Sequence, residues 1–453
     1  MKESHFDRRM LSTRLSRRRF VAGCCLSTLS VSCSTSSLIS EDTFSSEFVS
    51  IATIEELREY AKLDNVRVKL SPGVYILDSA ESHKFIKFSG RFSHYDLTDV
   101  TILVDNSLFS AFGVLSGADG FYRVLDFTGN NITFTGCHIK NNGDNPGIIS
   151  RNKIINVAAS GVHLKNVEVT TQGSRPWGYG SLFGISNENV RKMNGIRVGW
   201  PAKNVHLEGC KIHMRAMGHG IFIQGAVSTL IENCHVDGLL KATNDILEEQ
   251  SGFAFEQNFK TSGSEYLEGV SVAKNGKIIP NEMISLSEDG IRIYTDFRGL
   301  MSGSTIIKNC TVNQMRRGIC TGLGESTDIV IDSMVTNCVA AGFNIGSGDI
   351  LENCRADAKY SEALSCPYHN SKLAKVNLQI LDSRAGLANK LLATINGSKH
   401  DVHLYTTEPD YVPGEFEIAV NTNRGYAFYQ KKSEVSKVDS FIVNDTNAKL
   451  IYE

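Results

Sequence analysis

Between residues 130 and 355 one short pattern keeps returning. Asn131-Ile132-Thr133-Phe134-Thr135-Gly136-Cys137-His138-Ile139 is echoed by Asn204-Val205-His206-Leu207-Glu208-Gly209-Cys210-Lys211-Ile212, and again over 228–236 and 304–312, with Cys234 and Cys310 in the same place. Val167, Ser333 and Cys354 mark degenerate copies. The steps from 210 to 234, 310 to 333 and 333 to 354 are 24, 23 and 21 residues, and those from 137 to 210 and 234 to 310 are about three such periods. A unit this short cannot bury an apolar face alone, so each copy must stack on its neighbours.

Each copy reads as two short alternating strands joined at an Asn/Gly-Cys corner, then a third strand opened by glycine. The third strands are Gly195-Ile196-Arg197-Val198, Gly220-Ile221-Phe222-Ile223, Gly290-Ile291-Arg292-Ile293, Gly318-Ile319-Cys320 and Gly342-Phe343-Asn344-Ile345. Short strands with turn residues at this period predict a parallel solenoid, with like residues stacked from coil to coil. The pattern resembles the right-handed parallel β-helix of the pectin-lyase type, over roughly residues 65–400. The fold class expected is therefore all-β, a single-stranded right-handed parallel β-helix solenoid over 41–453 with an N-terminal capping helix. The cysteine column fits an inward ladder of small apolar side chains better than a metal centre, whose ligands must converge on one point.

Apolar residues at 54, 57, 60 and 61 within Thr53–Leu63 follow a helical face, and this segment is expected to cap the first coil, ahead of a strand over 66–70 and a turn at Ser71-Pro72-Gly73. Two excursions break the period, near 173–192 and 238–288; in solenoids such insertions project as loops beside the binding face. Residues beyond about 400 are less regular and are expected to close the far end.

The first 40 residues read as an address. Ser16-Arg17-Arg18-Arg19-Phe20-Val21-Ala22 resembles the twin-arginine export motif and precedes a short apolar run. Cys24 follows the arginines too closely to leave an apolar core; Cys33, after Ser30-Val31-Ser32, is the better-placed lipid anchor. A periplasmic, outer-membrane lipoprotein or secreted location follows. Twin-arginine cargo folds before export, so the remaining eight cysteines need not pair. Residues 1–33 hold seven Lys/Arg against two Asp/Glu, leaving 40 bases and 47 acids, net −7, in the rest. An acidic body argues against nucleic acid as a partner. No apolar run reaches the roughly 18 residues that a membrane-spanning helix needs, and 41% hydrophobic residues exclude a disordered chain.

Neighbours in a strand alternate between faces. With Ile196, Ile221, Ile291 and Ile319 inward, Arg197, Phe222, Arg292 and Cys320 face out, as do Gln224, Tyr294 and Asp296, with Lys192, Asn194, Arg316 and Arg317 at the entrances to that column. Arginines gathered on one face of an acidic protein suit a carboxylate or sulfate, which guanidinium binds in two-pronged fashion. Gly218-His219-Gly220-Ile221-Phe222-Ile223-Gln224-Gly225 is similar to the G-H-G-I-S-I-G-S strand of polygalacturonases, and Arg292-Ile293-Tyr294 stands where that family has R-I-K. The flanking glycines suggest an exposed His219. The resemblance carries the fold and the groove. It does not carry the mechanism, because Asn194-Gly195 stands where paired aspartates are needed and an inverting hydrolase requires two carboxylates roughly 6.5–9.5 Å apart.

Two chemistries stay open, alongside a non-catalytic glycan-binding or surface scaffold protein. Elimination on a uronic acid needs cations for the carboxylate, a base at C5 and an acid for the leaving oxygen: Arg197 and Arg292, His219 or Lys192, and Tyr294 supply them. Hydrolysis would draw on Asp245 with Glu248 or Glu249, if the 238–288 loop folds over His219. Gln224, Asp296, Arg316 and Arg317 are candidate substrate contacts, and Trp177 and Tyr179 candidate sugar-stacking platforms. No cofactor motif is present; Glu288, Asp289 and Asp296 leave calcium open. The partner expected is an anionic polysaccharide, and elimination is the preferred reaction.

Overall fold

A computed structural model describes residues 47–113, 121–143, 152–184, 190–261, 273–295, 299–323, 326–346, 348–366, 373–384, 390–397, 400–421 and 440–452. The arginine motif, Cys33 and Asp296 lie outside them.

Helix α1 (Ile54–Tyr60) begins where Thr53 caps it: Thr53 Oγ1 accepts from the Glu56 amide at 3.1 Å, and Glu56 Oε2 accepts from the Thr53 amide at 3.0 Å. Its Ile54 and Leu57 are buried against the first coils, at strands Arg67–Leu70 and Lys84–Phe88, as a solenoid cap requires.

Each regular coil then contributes three strands. In one coil these are Lys203–Glu208, Lys211–Met214 and Ile221–Gln224. The corner between the first two is held by a residue with left-handed backbone: Asn166, Gly209, Asn233, Asn309, Asp332 and Asn353 all have φ between 50° and 63°. That conformation is open to glycine and tolerated by Asn and Asp, which explains the Asn, Gly or Asp preceding these cysteine-column residues. The thiols behind these corners are free and buried. Each reaches a carbonyl on the coil before it, as in Cys234 Sγ to Leu207 O and Cys310 Sγ to Ile231 O, both 3.6 Å. The ladder expected from the sequence is what forms.

Every pairing between consecutive coils is parallel. Ile155, Ile196, Ile221, Ile291, Ile319 and Phe343 are register partners in one sheet, and Val169, Ile212, Val236, Val312 and Val335 in another. Among the described residues the strands form a 12-stranded and a 19-stranded parallel sheet. These side chains are fully buried in one continuous core. The chain is a right-handed parallel β-helix.

Glycine opens the third strand because nothing larger fits. A Cβ on Gly290 would lie 2.3 Å from Val312 Cγ1 and 2.9 Å from the Gly318 carbonyl; on Gly220, 2.4 Å from Val236 Cγ1 and 2.8 Å from the Gly290 carbonyl. The column thus lets the coil turn sharply just before the residues of interest.

The second excursion leaves and returns at one place. Strand Leu240–Ala242 pairs antiparallel with Met283–Ser285, so the coil resumes in register and Ile221–Gln224 pairs directly with Asp289–Tyr294. Between them lie α2 (Thr243–Leu247) and α3 (Phe253–Glu256). Both excursions share an apolar core separate from that of the coils: Tyr179, Leu182, Phe183 and Val190 of the first pack with Met217 and with Ile246, Ala254 and Ile284.

Candidate active site

The outward residues of the 12-stranded sheet form the predicted column. Asn156, Arg197, Phe222, Arg292, Cys320 and Asn344 are successive register partners. The residue just before each opening glycine makes a second column: Asn194, His219, Asp289 and Arg317. His219 and Arg292 are therefore on adjacent coils.

At the centre is a buried ionic cluster. Asp289 is fully buried, and Arg317, also fully buried, binds it through Nε at 2.7 Å and Nη2 at 2.6 Å. Arg292 Nη1 reaches the same carboxylate at 2.9 Å and Arg316 Nη2 at 3.3 Å. Glu288, its neighbour, is 2.5 Å from Lys192 Nζ and 3.5 Å from Arg316 Nη2. His219 lies between the carboxylates, Nε2 at 3.3 Å from Glu288 Oε2 and Nδ1 at 3.4 Å from Asp289 Oδ2. The Asp289 amide donates to His219 Nδ1 at 3.4 Å, and Asn194 Oδ1 accepts from the His219 amide at 3.0 Å. With Nδ1 an acceptor, Nε2 carries the proton and faces Glu288.

Burial pushes the His219 imidazole down to about 3, against the pull of Glu288 and Asp289. Burial raises Glu288, but His219, Lys192 and Arg316 around it hold its carboxyl well below the usual range. Asp289 is likewise raised by burial and brought far below by Arg317, Arg316 and Arg292. Lys192 is lowered by burial, with Glu288 opposing. Burial pushes Tyr294 up to about 12. The site at neutral pH thus holds two carboxylates, a neutral imidazole and a protonated phenol. Its lysine gives up a proton more readily than usual.

The depressed histidine has a thermodynamic consequence. The unfolded chain takes up a proton near the ordinary value of 6.5 that folded His219 refuses until about 3. Its contribution is therefore fully present above 6.5 and is lost as pH falls toward 3. Between pH 7 and pH 5 this removes about 2 kcal/mol of stability. Urea unfolding midpoints at the two pH values should show this slope in the parent and a correspondingly shallower one in His219→Gln. Equal slopes would assign the titration to other groups.

Partly exposed side chains rim the cluster: Lys192, Arg197, Gln224, Arg292 and Tyr294. Arg197 donates to Gln224 Oε1 and Asn156 Oδ1, both at 3.0 Å, and Asn156 passes the network to Asp126 at 2.7 Å. The Arg292 guanidinium lies 4.6 Å above the Tyr294 ring, which stacks 15° from parallel with Phe222.

Several sequence expectations are corrected. His219 is not exposed: its side chain retains 6% of its surface, because the backbone turn at Gly218 and Gly220 seats it under Glu288 and Phe222 rather than presenting it. Arg316 and Arg317 do not stand at an entrance; they are buried and spent on Glu288 and Asp289. Tyr179 is no sugar platform: it sits in the insertion core, its hydroxyl donating to Glu249 Oε2 at 2.7 Å. Asp245 and Glu248 are exposed at α2, and the carboxylates that meet His219 are Glu288 and Asp289. Trp177 is exposed, as a platform must be, and so is Trp200, which sequence reasoning passed over. The signal for the carboxylate pair was available, since Ser287-Glu288-Asp289-Gly290-Ile291 aligns with Met217-Gly218-His219-Gly220-Ile221. Calcium is poorly suited here, because Lys192, Arg292, Arg316 and Arg317 already surround both carboxylates.

No protein-family model matches the chain, and no curated protein does. Solved structures do. A PL6 alginate lyase in complex with a trisaccharide is 12% identical, TM-score 0.37, over 83% of this chain and 59% of that one. PfbA, a surface adhesin of Streptococcus pneumoniae, is 9% identical, TM-score 0.43, over 85% of each. A mannuronic acid specific polysaccharide family 6 lyase from human gut microbiota is 11% identical, TM-score 0.42, over 89% and 91%. This chain thus spans about three-fifths of the first of them. The fold rests on the strand register above, and the chemistry on the cluster.

Proposed function

We propose that the protein is a carbohydrate-active enzyme, a lyase that cleaves an anionic polysaccharide by β-elimination at a uronic acid. The observation that carries the reading is the division of the site into a buried floor of Glu288, Asp289, Arg316 and Arg317 and a partly exposed edge of Lys192, Arg197, Arg292 and Tyr294. Arg197 and Arg292 neutralise the substrate carboxylate, which acidifies the proton at C5. Lys192, whose burial favours the neutral amine over the ammonium, takes that proton in its free-amine form. The electron pair forms the C4–C5 double bond, the C4–oxygen bond breaks, and Tyr294, still protonated, supplies the proton to the leaving oxygen. His219 positions Glu288 from below, a role that suits its burial and engaged nitrogens better than proton abstraction does.

Hydrolysis has weaker support. An inverting or retaining hydrolase needs one carboxylic acid in its protonated form, whereas Glu288 and Asp289 are both held ionised. Export by the twin-arginine route, with Cys33 as lipid anchor, belongs to the same proposal and rests on the N-terminal sequence alone.

The test is incubation with a panel of uronic-acid polymers (pectate, alginate, ulvan, glycosaminoglycans), following both ultraviolet absorbance of the unsaturated product and new reducing ends. Absorbance and reducing ends rising together are expected. Reducing ends without absorbance would replace elimination by hydrolysis. Binding with neither signal would make the protein a glycan-binding scaffold.

A further inference from the structure

A second stacked column lies on the other sheet. His163 in strand His163–Lys165 and His206 in Lys203–Glu208 are register partners, their rings 4.2 Å apart and 8° from parallel. Two residues along the strands, Lys165, Glu208, Glu232 and Lys308 are partners on successive coils. The two columns meet: Glu208 Oε2 is 2.8 Å from His163 Nε2, and Glu232 Oε1 is 2.8 Å from His206 Nε2. Lys165 Nζ stands 3.0 Å from Glu208 Oε1. One nitrogen from each histidine and one Glu208 oxygen lie within 4.8 Å of one another.

Side by side on adjacent strands, the Glu208 and Glu232 carboxylates repel. Neutral imidazole nitrogen with carboxylate oxygen is the donor set of zinc and similar divalent transition metals, not of calcium or magnesium.

We propose that His163, His206 and Glu208 bind a zinc-like divalent cation, with Glu232 completing the set. The parallel rings must turn slightly for their lone pairs to converge, and side chains 29% and 28% exposed have room to do so. The ion would tie three consecutive coils together and relieve the repulsion between the glutamates, the task Lys165 performs at Glu208 in its absence. This site lies on the 19-stranded sheet, whereas the proposed elimination site lies on the 12-stranded one. A second histidine group on the same sheet, His138, His213 and His235 around Glu168 and Asp237, is less suited, because Arg215 Nη2 occupies Asp237 at 2.6 Å.

The full chain is titrated with zinc by calorimetry and with cobalt by visible absorption, which reports ligand geometry. One equivalent of zinc and a tetrahedral cobalt spectrum are expected, both lost in His206→Ala and Glu208→Gln. Lys165→Gln removes a cation facing the ion and should tighten zinc binding about tenfold, a gain that misfolding cannot produce. Absence of zinc binding in the parent would overturn the proposal. So would binding that survives His206→Ala, or a Lys165→Gln protein that binds zinc no more tightly.

Discussion

Asp289→Asn should be the most damaging single exchange in the molecule, lowering stability by about 3–5 kcal/mol, the usual cost of breaking a buried ion pair. Asp289 and Arg317 are both fully buried, and Arg292 and Arg316 lean on the same carboxylate. Without that charge, three guanidinium groups face one another across a site that water hardly reaches. Urea unfolding at neutral pH measures the loss. The double variant Asp289→Leu/Arg317→Leu should recover part of it, since a buried pair replaced by apolar groups is often tolerated where half a pair is not. A loss for Asp289→Asn below about 1 kcal/mol would be the behaviour of a solvated surface pair and would mean that the cluster is open to water.

Lys192→Ala should cut the elimination rate by about 10²–10⁴-fold, the range a positioned proton acceptor supplies, with little change in polymer affinity. Lys192→Arg separates the base from the charge: it keeps a cation beside Glu288 but cannot surrender a proton at accessible pH, so it should be as slow as the alanine variant. Because burial lowers Lys192, the parent rate should rise with pH and level off below the range of an ordinary lysine. If Lys192→Arg retains parental turnover on the polymer that gives unsaturated product, Lys192 acts as a charge only and the base lies elsewhere. His219→Gln should be far less harmful to turnover than Lys192→Ala if the histidine positions Glu288 without touching substrate.

The coil architecture was legible because it is a local property repeated many times. Asn233-Cys234 and Asn309-Cys310 each declare a left-handed corner followed by a small inward side chain, and the alternation around Ile221 and Ile291 names the outward residues Phe222 and Arg292 directly. The site was only half legible. Parity placed Arg197, Arg292, Gln224 and Tyr294 on one face, yet it says nothing of depth. Arg316 and Arg317 look like surface cations in the sequence, and only the three-dimensional closeness of Asp289 shows that they are neutralised inside. Tyr179 and Glu249, 70 residues apart, meet because two separate excursions share one apolar core, a pairing for which no period exists. His219 invites an exposed reading by its glycines, but their smallness serves tight coil packing instead.

The antiparallel pair Leu240–Ala242 and Met283–Ser285 bears on the order in which the molecule assembles. Phe222 and Arg292 are separated by 70 residues, whereas Arg197 and Phe222 are 25 apart and Arg292 and Cys320 are 28 apart. Closing the longer span costs roughly 1 kcal/mol more in chain entropy than closing an ordinary coil. A solenoid winds by adding each turn to the last, so winding slows most at this junction. His219 stands on one side of it, Glu288 and Asp289 on the other. The ionic cluster is thus the seam between two segments that can wind separately, and the proposed site is complete only when they join.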